Sequence, residues 1–291
     1  MEGILMRGKK AYAMAVRDPK GEIQMIEKPI STITQRYPIL KWPLIRGSVA
    51  LVSSFVLGIS ALAQSAEIAM SEEVAELSRF ENFLVKKFGE KLNKIVMGFA
   101  MVFAVIFGVG LFMLLPTFLA SFVPVSDAFV GGIEGVVRMV IFVGYVFLIS
   151  RMKDIQRVFQ YHGAEHKAIN CHEHGLPLTL ENVAACNRLH KRCGTSFMLV
   201  VMVVMMVLFM IIRIDDIWLR FASRILLLPV TAGISYEISV KWAGRRDNWL
   251  VRAIIAPGML IQRLTTKEPD DGQIEVAVAA LEKALAQDEA A

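Results

Sequence analysis

Hydrophobic positions along the chain gather in long uncharged runs, and the charged positions collect between them. Residues 95–123 form 29 positions without a charge, interrupted by Pro116. Residues 136–150 are shorter and carry Arg138 near their start; with 128–135 they reach the length of a crossing. Residues 197–212 form a methionine-rich run, lengthened by the uncharged 194–196. Residues 225–236 follow Arg220 and Arg224 and need extension on both sides to cross. A bilayer core takes about 20 apolar residues in a helix, so these runs predict four spans. Residues 47–66 are also uncharged, but five serines and Gln64 make them polar for a lipid-facing helix. They are expected as a hydrophobic helix packed on protein or lying at the interface, without crossing. Residues 253–262 are too short to span and contain Pro257-Gly258, which predicts a re-entrant or interfacial piece.

The two ends have a different pattern. In residues 1–46, the extended runs 11–17 and 22–28 flank Asp18-Pro19-Lys20-Gly21, which predicts a β-hairpin. Residues 71–94, with five Lys or Arg and five Glu, predict an exposed helix. From Thr265 the chain turns polar. Asp270 and Asp271 then precede Ile274, Val278, Leu281 and Leu285, one apolar stripe at helical spacing, so a capped amphipathic helix is expected. The fold class is mainly α: a polytopic helical membrane protein of about four spans plus one non-spanning hydrophobic helix. It divides into an amino-terminal arm with a hairpin (1–46), a membrane domain (47–262) and a carboxy-terminal tail with a soluble helix (263–291).

Composition supports the membrane assignment. Of the 291 residues, 55% are hydrophobic and only 20% charged, with a mean hydropathy of +0.51. The 32 Lys and Arg against 27 Asp and Glu give a basic balance. The basic clusters lack interleaved aromatics, which argues against nucleic acid as a partner and for the flanks of membrane spans. Nine Lys or Arg lie in the amino-terminal arm, five in 71–94, seven in 151–193 and none in 124–135. With four spans, the cluster-rich segments and both termini fall on the cytoplasmic side, and the one basic-free loop, 124–135, lies outside. Cys171, Cys186 and Cys193 share one polar segment and read as reduced thiols or a metal ligand. The first 40 residues have no apolar core of the kind a signal peptide needs.

All five histidines fall in that segment, residues 151–196. Its centre, His162-Gly163-Ala164-Glu165-His166, is an H-x-x-E-H string, the inverted zinc-peptidase signature. On a helix His162 and His166 stand one turn apart and present two nitrogens on one face, suited to zinc or another divalent metal. Glu165, on a neighbouring face, is placed as the general base. His190 and Cys193 are candidates for further ligands, Glu237 is an analogue of the signature's remote glutamate by order alone, and Glu181 is a ligand or outer support. His172 and His174 are expected on a loop and rank lower. Histidines that merely cap a helix end are the competing reading.

Glu2-Gly3-Ile4-Leu5-Met6-Arg7-Gly8, residues 161–167, Arg192-Cys193-Gly194-Thr195-Ser196-Phe197, residues 232–237 and the tail 265–276 together resemble the DUF1385 family of bacterial membrane proteins. The resemblance spans nearly the whole chain and implies a bacterial inner-membrane protein, loosely described as a metal-dependent enzyme, with no reaction attached. Members usually begin with a Gly-Gly-Gln-Ala-type stretch, and this chain starts inside that region, which points to an earlier start. Three functions stay open. A metal-dependent hydrolase at the cytoplasmic face would act on a peptide or lipid-linked substrate. An ion transporter or channel would use the same histidines, with Arg138 and the Ser-rich 47–66 as pathway groups. A structural or assembly protein would use the cytoplasmic segment to dock a partner.

Overall fold

The computed structural model describes residues 2–8, 11–30, 37–69, 91–124, 126–212, 214–243 and 248–289. The predicted helix in 71–94 lies, for residues 71–90, outside them. The protein is mainly α-helical, with one three-stranded antiparallel sheet at its amino terminus.

Strands β2 (Ala11–Arg17) and β3 (Ile23–Pro29) are the predicted hairpin, paired from Arg17–Ile23 to Ala11–Pro29. The turn works as its residues dictate. Asp18 Oδ1 accepts from the amides of Lys20 (3.0 Å) and Glu22 (2.9 Å), and Gly21 adopts φ +89°. A third strand, β1 (Gly3–Arg7), adds to the far edge of β2. Its alternation, with Ile4 and Met6 buried, spans only five residues, too short to stand out in the sequence.

The helices are α1 (Ile45–Ala69), α2 (Lys91–Val109), α3 (Leu115–Ala120), α4 (Asp127–Ile149), α5 (Lys153–Glu173), α6 (Leu180–Ala185), α7 (Gly194–Ile211), α8 (Ile217–Leu226), α9 (Leu228–Tyr236), α10 (Trp249–Thr265) and α11 (Asp271–Glu289). A π-helical turn, Gly110–Leu114, joins α2 to α3 ahead of Pro116, and another, Glu237–Trp242, continues α9. Helices long and apolar enough to cross a membrane cover Ile45–Ser65, Gly98–Ala120, Phe129–Ile149 and Gly194–Ile211. The bent pair Trp218–Leu226 and Leu228–Trp242, angled by 40°, makes one more. The predicted run 225–236 is thus the middle of a broken span. The piece expected as re-entrant is a continuous helix, α10, that runs through Pro257 and packs on α7.

Helix α11 lies on the sheet, with α5 beside it. Ile4, Met6, Ala13 and Ala15 of the sheet meet Tyr161, Ala164 and Ala168 of α5 and Ile274, Ala277 and Leu281 of α11 in one buried core. The predicted stripe on α11 is therefore real, and wider than its four positions: Val276, Ala277, Ala280 and Ala284 are buried too. Asp270 begins the helix as expected, in a reciprocal box. Its Oδ1 accepts from the Gln273 amide (2.8 Å), and its own amide donates to Gln273 Oε1 (3.0 Å). Glu2 fastens β1 to α5 through Arg157 and the Tyr161 hydroxyl (2.8 Å). Burial alone would raise the Glu2 carboxyl, but hydrogen bonds from Arg157 and Tyr161 hold it below its usual value.

These contacts put the sheet, α5 and α11 on one side of the spans. From β1 to α5, and again from α5 to α11, the number of crossings must then be even. Helices α2–α3 and α4 supply two, and α7 and the bent pair supply two. A full crossing by α1 would need a compensating one in 70–90, outside the described residues. Its carboxy-terminal part also returns to the sheet, where Lys28 Nζ donates to Gln64 Oε1 (3.0 Å). Length and apolarity would let α1 span, but its contacts favour the expected non-crossing helix.

Within the spans Glu134 of α4 lies between Arg138 (2.6 Å) and Arg224 of α8 (2.7 Å), all three buried. Arg138 Nε donates to the Phe112 carbonyl (2.8 Å) in the first π-turn. Arg224 stacks over Phe209, 3.6 Å from the ring centre. This network ties α4 to α7, α8 and the α2–α3 span.

Candidate functional site

The site stands where the extramembrane layer meets the spans. Helix α5 supplies His162 and His166 one turn apart, with their ring centres 4.4 Å apart. Cys193 is the residue before α7, at the point where the chain enters the membrane. Ligand atoms of His162, His166 and Cys193 all lie within 4.8 Å of one another, the one such group of three His, Cys, Asp or Glu among the described residues. Cys193 Sγ is 3.3 Å from His162 Nε2 and 3.1 Å from Thr195 Oγ1.

The backbone fixes both rings. His162 Nδ1 lies 2.8 Å from the Thr265 carbonyl, and His166 Nδ1 2.7 Å from the Arg188 carbonyl. A carbonyl only accepts, so each Nδ1 carries the proton and each neutral ring keeps its lone pair on Nε2. Both lone pairs are thus available to an ion beside Cys193. This is the outer support that metal-ligating histidines ordinarily have.

Two sequence features make these carbonyls available. Gly163 lets the α10–α11 connection lie directly on α5: a Cβ there would come within 2.1 Å of the Lys267 carbonyl oxygen. The Lys267 amide donates to the Phe159 carbonyl (2.8 Å) in the same seam, which brings Thr265 to His162. Gln262, wholly buried on α10, clamps the loop before α7. Its Oε1 accepts from the His190 amide (2.9 Å), and its Nε2 donates to the His190 carbonyl (2.8 Å) and to Ser196 Oγ (2.7 Å). Gln262 and Thr265 are the site residues sequence reasoning missed. The signal for the first was a lone amide in an otherwise apolar run.

The remaining candidates stand elsewhere. His190 is buried, and its ring lies 5.7 Å from that of His166, but Nε2 turns toward Glu173 Oε1 (3.3 Å). It is outside the three-residue group. Glu237 is also outside it, held by two hydrogen bonds from Arg46 of α1. The expected loop at His172 and His174 is the last turn and end of α5, because the helix runs on to Glu173. Both side chains are exposed there, and Glu181 is exposed on α6. Cys171 and Cys186 are free thiols packed in the α5–α11 core.

Electrostatics bind the group together. Burial alone would raise the Cys193 thiol, but His162 and His166 reverse this and bring it down to about 5. Burial would lower His162, but its hydrogen bond to Cys193 and the charges of Cys193 and Glu165 lift it to about 9. Without a metal the pair is therefore a thiolate beside an imidazolium. Burial raises the Glu165 carboxyl, against the lowering effect of His162 and His166. Glu165 lies between His162 and His166 along α5 and feels the charges of His162, His166 and Cys193.

The family profile described as "Protein of unknown function (DUF1385)" matches residues 42–287. The "Uncharacterized protein YqhQ" of Bacillus subtilis (strain 168) is 35% identical over 289 residues, covering 98% of this chain and 90% of that protein. No solved structure matches the chain. A profile over most of the chain and a relative alike from end to end leave no part of the fold outside the resemblance, and the chain belongs to the DUF1385 family.

Proposed function

We propose that the chain is a metal-dependent hydrolase of the bacterial inner membrane, working at the cytoplasmic face, with both termini on that side. The observation that carries this reading is the His162, His166 and Cys193 group with both histidine Nδ1 atoms tied to carbonyls. Two imidazoles and a thiolate suit zinc, and three protein donors leave a fourth position for a reactant. Bound there, a divalent ion would supply Lewis acidity. Glu165 would take the proton of the attacking water and return it to the leaving group. The excess of Lys and Arg in 151–193 supports the cytoplasmic placement.

A second reading rests on the 3.3 Å contact between Cys193 Sγ and His162 Nε2. A thiolate at the start of a helix beside an imidazolium is an activated nucleophile. One experiment separates the two. Purified protein should carry a stoichiometric divalent ion, lost in His162→Ala, His166→Ala and Cys193→Ala and kept in Glu237→Gln. Metal should also protect Cys193 from alkylation. Metal-free protein in which Cys193 alkylates rapidly, with no protection by added zinc, would overturn the metal centre and favour the thiol.

A further inference from the structure

Beside the site lies a pocket of about 290 Å³ between α1, α7, the π-helical segment after α9, and α10. That is close to the lower range of small-ligand sites. Cys193 forms part of its wall, so pocket and ligand group share a side chain. The lining is of two kinds. Lys191, Arg192, Cys193 and Gly194 form a contiguous stretch at the amino end of α7, in which Arg192 is paired with Glu173 and Lys191 adds a further positive charge. Leu51, Phe197, Val200 and Val240 supply hydrocarbon. Helix α7 enters the membrane from Gly194, so Val200 lies about 9 Å deeper at 1.5 Å per residue. The pocket is thus basic at the membrane face and apolar below.

Two further features point to an occupant. Ser239 forms part of this pocket's wall, and its Oγ is buried with no hydrogen-bond partner among the described residues. It sits in the π-helical stretch Glu237–Trp242, and such irregular turns gather at functional sites. Ser54 of α1, exposed, forms part of the rim, and its neighbours Val52, Phe55 and Val56 are more than 60% exposed, a face suited to lipid. A hydrocarbon chain in the pocket therefore has a way out to the bilayer between α1 and α7.

We infer that this pocket takes the substrate of the centre, and that the substrate is an anionic membrane amphiphile with an ester bond at its head. The phosphate or carboxylate lies at residues 191–194, and the chain runs between α1 and α7 to the bilayer. This rests on the reading of His162, His166 and Cys193 as a hydrolytic metal site. In the step itself, the water oxygen bonds to the ester's acyl or phosphoryl centre while the bond to the alcohol oxygen breaks. Glu165 accepts the water proton and passes it to that departing oxygen, giving an acid and an alcohol with no oxidant or reductant.

The test uses the full chain, zinc-loaded, in phosphatidylcholine nanodiscs doped with a phosphatidic acid carrying a diazirine in its tail. After photolysis, cross-links should fall on peptides containing Leu51, Ser54 or Val240. Unlabelled phosphatidic acid should compete, and extra phosphatidylcholine or inorganic phosphate should not. Ser54→Trp blocks the rim at an exposed position, so the fold and metal are kept while cross-linking falls at least tenfold. Lys191→Gln should weaken competition about fivefold, as loss of one basic group near an anionic head does. Cross-links spread over the lipid-facing sides of α2 and α4, indifferent to Ser54→Trp, would overturn the inference. Metal content of the same samples separates the two claims. Bound metal with scattered cross-links leaves the centre and removes the lipid pocket; pocket cross-links without metal do the reverse.

Discussion

At the scale of single residues, the site depends on which atom of each side chain is already committed. His162 and His166 give Nδ1 to carbonyls and keep Nε2 for the centre, whereas His190 turns Nε2 to Glu173 and Glu237 is spent on Arg46. Glu165 is different, because it touches the group through charge and no ring nitrogen or thiol is bonded to it among the described residues. Glu165→Gln preserves size and hydrogen bonding but cannot accept a proton. It is expected to keep the metal at near-normal occupancy while any ester hydrolysis falls by about 10² or more. Loss of metal as complete as in His162→Ala would make Glu165 a ligand and remove the base. The H-x-x-E-H spacing was legible in the sequence because helix geometry alone brings i and i+4 together. The partners that orient the rings were not, because backbone carbonyls such as those of Thr265 and Arg188 have no signature in residue type. Cys193 joins the His162 and His166 group, and His190 does not, by a difference in side-chain direction that spacing does not encode.

At the scale of elements, the site is made by three segments meeting at close range: the middle of α5, the start of α7 and the end of α10. Two positions set that approach. Gln262 holds the 188–193 loop to α10, and Gly163 admits the 265–267 connection onto α5. A methyl group at Gly163 cannot be absorbed by a side-chain rotation, because the atom it meets is a backbone oxygen. Gly163→Ala should therefore destabilise the fold by about 1–3 kcal/mol, the usual range for overpacking. The connection would also lift away from α5, drawing the Thr265 carbonyl off His162. Metal should then dissociate at lower chelator concentration, with thermal unfolding and metal release measured together. Unchanged values for both would show that the connection accommodates the methyl group. The elements themselves were largely visible in the sequence where hydrophobic runs were long or turn chemistry was specific. The misses have physical causes. Strand β1 is five residues long, and α10 passes through Pro257 because tertiary packing on α7 outweighs the lost hydrogen bond.

At the scale of the whole molecule, the buried Glu134, Arg138 and Arg224 network and the extramembrane core do complementary work. Inside the spans, Glu134 offsets two guanidinium charges that hydrocarbon would not tolerate alone, and in doing so fixes α4 against α8. Outside, the sheet and α11 join the two ends of the chain over α5, so the ends must share a side. That requirement ties the crossing count to a contact made far from the membrane, and no loop charge count could have supplied it. It yields a labelling test. Single cysteines replacing Lys20 in the hairpin turn, His174 at the end of α5 and Ser126 before α4 all sit at exposed positions. In a background with the native cysteines replaced by serine, a membrane-impermeant maleimide applied to intact cells should label Ser126→Cys. Lys20→Cys and His174→Cys should react only after the membrane is permeabilised. Labelling of Lys20→Cys from outside while His174→Cys stays protected would separate the sheet from α5, and would make α1 a full crossing. Labelling of both from outside would keep the fold but turn it over, placing the His162, His166 and Cys193 group on the outer face.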